Sequence, residues 1–449
     1  SPPARGSGTL PPPLTAILFN GARVIYPASR TDRVVDVAVE GGLIRAIGPG
    51  LAPPAGAETI DCRDLILSPG LIDPHVHLRE PGGEHKETIA TGCAAAVEGG
   101  FTTVCCMPNT TPALDSPEIV EFIARRAEQA AANPAGATAR VFSVAAATKG
   151  RKGEELAEIH LLTRAGAVGF SDDGDCVASA GMMARALTTI RPTGLAFMQH
   201  CQEPTLTKGS VMNSGALATR LGLAGWPAVA EDLIIERDVR LNRAIGCRYH
   251  VQHLSTAGAA EIVRRARAEN QPVTAEASPH HLLLTEEACA GYDTRAKMNP
   301  PLRTERDVQA LREAVADGTI TILATDHAPH TEDEKAQPFD SAPFGIIGLE
   351  TALALYAEAL IQSRLIDWPR MIEMMTIQPA RLCGLDGRGL GSLRVGGPAD
   401  LTVIDPDARW TISIGDLKGK CRNTPFLGRE VRGRAVMTVV DGRVVMRRR

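Results

Sequence analysis

Gly70-Leu71-Ile72-Asp73-Pro74-His75-Val76-His77 is a short apolar run ending in two histidines one residue apart, and seven further apolar or β-branched runs follow it. They cover 102–109, 140–148, 167–173, 195–201, 247–254, 272–280 and 319–326. Longer stretches of helical periodicity separate them. Ser116-Pro117-Glu118 opens one that runs to Ala131, and Ser255-Thr256 opens another over Ala257 to Ala268, both behind N-cap residues. Eight strand–helix alternations predict a parallel (β/α)₈ barrel over 69–389, with its chemistry at the C-terminal ends of the strands.

Outside that block the pattern changes to short alternating runs with hairpin signals at Phe19-Asn20-Gly21, Glu40-Gly41-Gly42 and Val440-Asp441-Gly442. Neither flank carries enough strands to cover an apolar face alone. Residues 14–68 and 390–449 are therefore expected to join as one β-sandwich built from both ends of the chain. The first segment, 1–13, is rich in Pro, Gly and Ser and reads as a disordered tail.

A chain of 449 residues, 44% hydrophobic and 22% charged, can fill one large core plus a smaller one. The net charge of -4 offers no basic field for nucleic acid. No apolar run approaches the roughly 18 residues that a membrane span needs, and the start lacks a secretory pattern, so a cytoplasmic location is expected. The ten cysteines show no metal or disulfide spacing and are expected to be buried thiols.

Side chains alternate faces along a strand, so His75 and His77 point inward together, a spacing that suits two imidazoles on one metal ion. Alone, His-x-His is weak evidence. The same placement recurs, however, with Asp173 ending the fourth run, His200 near the end of the fifth, His253 near the end of the sixth and Asp326 ending the eighth. Of eleven histidines, only His85, His160 and His250 fall away from strand ends. His250, three residues before His253, has the opposite parity and is expected to face the helices as a structural residue. Cys201, beside His200, is expected in the packing behind the site. Parity leaves Asp172 and Asp173 open, because the bend after Phe170-Ser171 is not fixed by the sequence. Met374-Met375 and the stripe Leu349, Leu353 and Leu360 read as core between helix and barrel. The polar stretches 290–303 and 331–345 read as lids.

His75-Val76-His77-Leu78-Arg79-Glu80-Pro81-Gly82, Met107-Pro108-Asn109-Thr110, Phe170-Ser171-Asp172-Asp173-Gly174, His253-Leu254-Ser255-Thr256, Asn299-Pro300-Pro301-Leu302-Arg303 and Ala324-Thr325-Asp326-His327-Ala328-Pro329-His330 together resemble the bacterial class I dihydroorotases, from one flank to the other. The resemblance implies a zinc enzyme of pyrimidine biosynthesis. It implies that His75 and His77 hold one zinc ion and His200 and His253 a second, with Asp173 as the bridge and Asp326 beside the first. Other cyclic amidohydrolases bridge their metals with a carboxylated lysine; the run 167–173 has none, and Lys149 and Lys152 follow the wrong strand.

On the same footing, Asp326 is general base and acid, taking a proton from the activated water and returning it to the leaving ring nitrogen. The reaction interconverts L-dihydroorotate and N-carbamoyl-L-aspartate. Singly, a loop arginine reads as a surface group and Pro-Asn-Thr as a turn. The resemblance makes Arg79, Asn109 and His330 binders of the substrate carboxylate, and adds His77, Asn299, Phe344 and Gly345 to the contacts. A homo-oligomer is expected, and a complex with aspartate carbamoyltransferase stays open. The competing readings are an allantoinase, a dihydropyrimidinase or hydantoinase, and a silent barrel that scaffolds the carbamoyltransferase.

Overall fold

The computed structural model describes residues 16–132 and 138–448, so the expected tail at 1–13 lies outside the described residues. Eight strands, Leu71–Val76, Phe101–Cys106, Arg140–Ala145, Gly169–Phe170, Ala196–Gln199, Arg248–Val251, Val273–Ala277 and Ile322–Leu323, pair in chain order. Every pairing is parallel. This is the expected barrel, with each strand inside one of the apolar runs except the second, which begins one residue earlier at Phe101.

The first and eighth strands meet along a seam, where one bridge joins Val76 to His327. The Asp73 carboxylate spans the seam by accepting the Thr325 N–H at 3.2 Å. Pro74, which has no N–H to give a ladder, accompanies a register break between Asp73 and Val76.

Helices pack around the strands, and four of them start on a hydroxyl cap in which Thr88, Ser179, Thr256 and Thr304 accept the N–H of Thr91, Met182, Ala259 and Asp307. Each cap contributes about 1 kcal/mol. The expected helices appear at Pro117–Ala132 and Ala257–Ala268. Met374, Met375, Leu349, Leu353 and Leu360 lie in the apolar shell between helices and barrel, as their spacing suggested. Among the described residues no helix is long and apolar enough to cross a membrane.

Strands Ile17–Tyr26, Thr31–Glu40, Leu43–Gly48, Glu58–Asp61 and Ile66–Pro69 from the beginning of the chain join Leu401–Thr411, Glu430–Val440 and Arg443–Arg447 from its end in one sheet. Ile66–Pro69 runs antiparallel to Leu401–Thr411 and so joins the two ends. The sheet curls until the Ala399 N–H donates to the Gly42 carbonyl at 2.9 Å. Its two halves enclose Val24, Val37, Val39, Ile44, Leu401, Val403 and Val439. The hairpin signals at Gly41-Gly42 and Asp441-Gly442 fall on turns, but Asn20-Gly21 does not. There the strand continues through a bulge between Phe19 and Ala22, with Gly21 at φ 68°. The buried Asp36 carboxylate accepts the Gly21 N–H at 2.8 Å and the Asn20 side-chain amide at 3.3 Å, which holds the glycine in the strand.

The sheet sits against the N-terminal ends of the barrel strands. Thr402 donates to the Gly100 carbonyl at 2.6 Å and accepts the Leu71 N–H at 3.3 Å, while Thr438 donates to the Val97 carbonyl at 2.7 Å. Thr402→Val keeps the shape and orphans both barrel groups. It should lower the unfolding free energy by about 1–3 kcal/mol, read from the urea midpoint, and an unchanged midpoint would place the docking energy elsewhere.

Candidate metal centre and substrate cavity

The strand ends bring six side chains together, His75, His77, Asp173, His200, His253 and Asp326, all of them buried. Asp173 lies among the imidazoles. Its Oδ1 is 3.3 Å from His75 Nε2, 3.7 Å from His200 Nδ1 and 3.8 Å from His253 Nε2, and its Oδ2 is 3.5 Å from His77 Nε2. Asp326 Oδ1 is 2.9 Å from His77 Nε2 and 3.4 Å from His75 Nε2. Ligand atoms of His75, His77 and Asp326 lie within 4.8 Å of one another, as do those of His75, Asp173 and His253. His200 Nδ1 joins the second group at 2.8 Å from His253 Nε2. His253 and Asp326 have φ of 29° and 49°, so both aim from left-handed backbone just past the strand ends.

This arrangement fits a bound cation. His75 Nε2 is buried without a hydrogen-bond partner, and it points between two carboxylates. Burial alone would depress the His75 pKa, yet the charges of Asp326, Glu276 and Asp173 hold it well above the ordinary value. Burial likewise works against an ionised Asp173, and the surrounding His75, His200 and His253 still hold its carboxyl well below its usual range. The cluster therefore favours positive charge at its centre. Imidazole nitrogens with carboxylate oxygens and no thiolate are the donors that zinc and similar divalent ions take.

Behind the cluster stands Glu276, which the sequence reading missed. One oxygen is 2.6 Å from His75 Nδ1 and accepts the His253 N–H at 3.2 Å; the other is 2.9 Å from His250 Nε2. Burial opposes its charge, but His75 and His250 bring its pKa down to about 2. With Nδ1 committed to Glu276, His75 keeps Nε2 for the centre. A lone acid in the apolar run Val273-Thr274-Ala275-Glu276-Ala277 was the available signal.

His250 thus faces the barrel interior, contrary to expectation. Tyr249 and Val251 are the residues of that strand that face the helices. The strand ends at Val251 and His253 leaves it at positive φ, so counting alternation back from His253 gave the wrong face. Asp172 points away from the centre and accepts the N–H groups of Ala147 and Thr148, both at 3.0 Å. Cys201 packs behind the site, 3.7 Å from the Tyr249 hydroxyl. Lys149 and Lys152 are exposed.

A cavity of about 300 Å³ opens over the cluster and is lined by Arg79, Asn109, Asn299, His330, Phe344 and Gly345 together with His77 and Asp326. A larger one, about 770 Å³, lies at the opposite end of the strands beside Arg140 and Phe142 and contains no histidine. Arg79 is nearly buried and takes φ 61°; its guanidinium reaches the Pro329 carbonyl at 3.3 Å and the His330 ring at 3.3 Å, neither of them an anion. Burial, Arg79, Lys86 and Lys335 push the His330 pKa down to about 2, so the ring is neutral. The Asn109 carbonyl oxygen is 2.8 Å from His77 Nδ1, which orients that ring.

Asn299 donates to Gln202 at 3.2 Å, and the same Gln202 oxygen is 3.0 Å from His200 Nε2. Gln202, two residues past His200, was also missed. Of the stretches read as lids, 331–345 contributes Phe344 and Gly345 and 290–303 contributes Asn299 to the cavity wall. They are tied to each other, the Gly345 N–H donating to the Lys297 carbonyl at 2.9 Å and Lys335 Nζ to the same carbonyl at 3.3 Å.

Barrel, strand-end histidines and carboxylates define an amidohydrolase, and residues 235–446 match the family described as Amidohydrolase family. Residues 64–259 match the one described as Dihydro-orotase-like. The chain is 46% identical over 429 residues to a dihydroorotase of Geobacter sp. (strain M21), covering 96% of this chain and 99% of that protein. It is 45% identical over 435 residues to one of Anaeromyxobacter dehalogenans, covering 96% and 98%. The chain belongs to the dihydroorotase family. Among solved structures, an L-hydantoinase from Arthrobacter aurescens shares the fold with a TM-score of 0.85 at 24% identity, covering 96% of each chain. A D-hydantoinase from Thermus sp. matches with a TM-score of 0.77 at 26% identity, covering 96% of this chain and 95% of that one.

Glu276→Gln removes the charge that fixes His75 and His250 while keeping the shape. Metal affinity, measured by metal content after dialysis against graded chelator, should fall about 10–100-fold, and full retention would mean that Glu276 does not orient a ligand.

Proposed function

We propose that the chain hydrolyses the ring amide of L-dihydroorotate to N-carbamoyl-L-aspartate, and closes the ring in the reverse direction, with two zinc ions held by His75, His77, Asp173, His200, His253 and Asp326. The observation that carries the substrate assignment is Arg79, a guanidinium with no carboxylate within hydrogen-bonding reach among the described residues, mostly buried in the wall of the cavity that holds His77 and Asp326. A mostly buried cation of that kind suits a substrate carboxylate. Allantoin, hydantoin and dihydropyrimidine rings carry no such carboxylate. The side chains that cluster at the barrel mouth could hold a metal, which speaks against a catalytically silent barrel.

Zinc held by these residues would lower the pKa of a bound water and polarise the scissile carbonyl. Asp326, whose carboxyl is kept ionised against the cost of burial by His75 and His77, takes the proton from the attacking water. The water oxygen adds to the ring carbonyl carbon, the C–N bond breaks, and Asp326 returns the proton to the leaving nitrogen. Arg79 binds the exocyclic carboxylate with its guanidinium, and neutral His330 supplies a further hydrogen bond. Asn109 adds its side-chain amide, and the unpartnered Oδ1 of Asn299 accepts a ring N–H. His77, held by Asn109, supports both metal and substrate; Phe344 and Gly345 form the facing wall.

The division into a barrel at 69–389 and a sheet domain from 14–68 and 390–449 is supported by the position of Pro69, the last residue of the sheet's fifth strand, two residues before the barrel begins at Leu71. A homo-oligomer and a complex with aspartate carbamoyltransferase fit a biosynthetic role.

A spectrophotometric assay of zinc-loaded enzyme should show ring opening of L-dihydroorotate that chelator abolishes, with dihydrouracil, hydantoin and allantoin left intact. Activity on another ring alone would remove the carboxylate pocket from the reading. Asp326→Asn should cut kcat by about 10²–10⁴-fold, and near-normal turnover would sink its role in proton transfer. Arg79→Ala should raise KM by roughly 10²-fold through loss of a charge-assisted pair, with metal content unchanged; an unaltered KM would take Arg79 out of the pocket.

A further inference from the structure

The chain between strands Leu401–Thr411 and Glu430–Val440 leaves the terminal sheet and crosses the mouth of the barrel. Its path is fixed mainly through backbone groups. The N–H groups of Lys418 and Gly419 donate to Glu350 at 2.9 and 3.1 Å, that of Lys420 donates to Glu87 at 3.3 Å, and the Cys421 thiol donates to the Lys86 carbonyl at 3.0 Å. Lys86 and Glu87 follow the first barrel strand and Glu350 follows the eighth. The crossing segment therefore joins the loops on the two sides of the seam, where the barrel has a single bridge in place of a ladder.

Asn423 is the residue by which this segment reaches the cavity wall. It is 4% exposed, and its side-chain amide makes three hydrogen bonds to main chain. Its oxygen accepts the His330 N–H at 3.0 Å, and its nitrogen donates to the carbonyls of Ala328 at 2.9 Å and Gly345 at 3.0 Å. Ala328, His330 and Gly345 all line the substrate cavity, and Asn423 does not. The two stretches meet closely there, since a Cβ on Gly345 would lie 2.7 Å from the Ala328 carbonyl and 2.8 Å from the His330 ring. A side chain with one acceptor and two donors in a fixed plane matches the one N–H and two carbonyls that this wall presents.

We propose that Asn423 is a positioning residue for substrate-carboxylate binding: it fixes the backbone that carries His330 and Gly345, and through His330 the guanidinium of Arg79. The sheet domain thereby sets the affinity of a pocket it does not line. This rests on the dihydroorotase reading, while the brace itself can be tested without turnover.

The experiment compares zinc-loaded full-length wild type with Asn423→Ala and with Asn423→Asp, which keeps the acceptor and turns a carboxylate toward two carbonyls. Loss of three hydrogen bonds in the wall for Asn423→Ala, and of the two donated ones for Asn423→Asp, should raise KM for L-dihydroorotate about tenfold or more in both variants, with kcat within about threefold and zinc content unchanged. Hydrogen exchange should quicken in peptides covering 326–346 and stay constant in those covering 248–254. An unchanged KM, a loss confined to kcat, or loss of zinc would overturn the proposal, as would unchanged exchange over 326–346. If neither variant folds, wild-type protein decides the matter: the His330 amide should be strongly protected, and rapid exchange there overturns the brace. A wild type inactive on dihydroorotate but with exchange altered in the variants would fail the functional reading and leave the brace standing.

Discussion

Two carboxylates and four imidazoles held in a dry barrel mouth are unstable company unless positive charge sits among them, and much of the site answers that constraint. Asp173 and Asp326 are buried anions whose nearest partners are histidine nitrogens, and a buried charge without compensation costs several kcal/mol. Glu276 adds a third carboxylate and leaves His75 Nε2 as the atom turned toward the centre. The barrel makes the arrangement affordable because the six side chains come from five different strand ends, so no single segment must fold around the whole cluster. Left-handed backbone at His253 and Asp326 is the local cost, and the strands on either side over-determine it.

The fold itself does not decide which ring is opened. Hydantoinases superpose on nearly the whole chain at 22–26% identity, so barrel and terminal sheet are compatible with more than one cyclic amide. Discrimination has to come from side chains over the centre. Arg79 is the strongest such feature, because a guanidinium in a cavity wall with no anion in hydrogen-bonding reach among the described residues carries a desolvation cost that a carboxylate ligand would relieve. Burial and the surrounding cations hold His330 neutral, and a neutral ring can serve as a hydrogen-bond partner without adding to the local charge.

The barrel was legible in the sequence because apolar runs and helical periodicity are local patterns repeated eight times. Six candidate ligands were legible because they recur at the same point in those runs. What failed was extrapolation across a strand end: His250 was misplaced because alternation stops at Val251, and Asn20-Gly21 was read as a turn because the Asp36 carboxylate that keeps it in a strand lies fifteen residues away. Asp172 and Asp173 could not be separated by parity; in space Asp172 bonds to Ala147 and Thr148 while Asp173 lies among the imidazoles. Glu276 offered a signal, a charged residue in an apolar run, but Gln202 and Asn423 offered none. Gln202 reaches Asn299 far along the chain, and the side-chain partners of Asn423 are remote backbone groups, which leave no trace in side-chain pattern.

The terminal sheet holds the barrel at both ends. At the N-terminal ends of the strands, Thr402 and Thr438 satisfy barrel backbone groups and Arg140 pairs with Asp400 at 2.7 Å. At the catalytic end, the segment between the sheet's last long strands spans the seam and reaches the wall behind His330. The seam is joined by one bridge and is also the place where His75 and His77 on the first strand must meet Asp326 after the eighth. A shift there would alter the distances that Asp326 keeps to both histidines, so clamping the seam from both ends preserves the geometry on which the proposed proton transfer depends. A sheet made from the two ends of the chain suits that task, because its first half leads directly into the first barrel strand while its second half follows the last barrel helices.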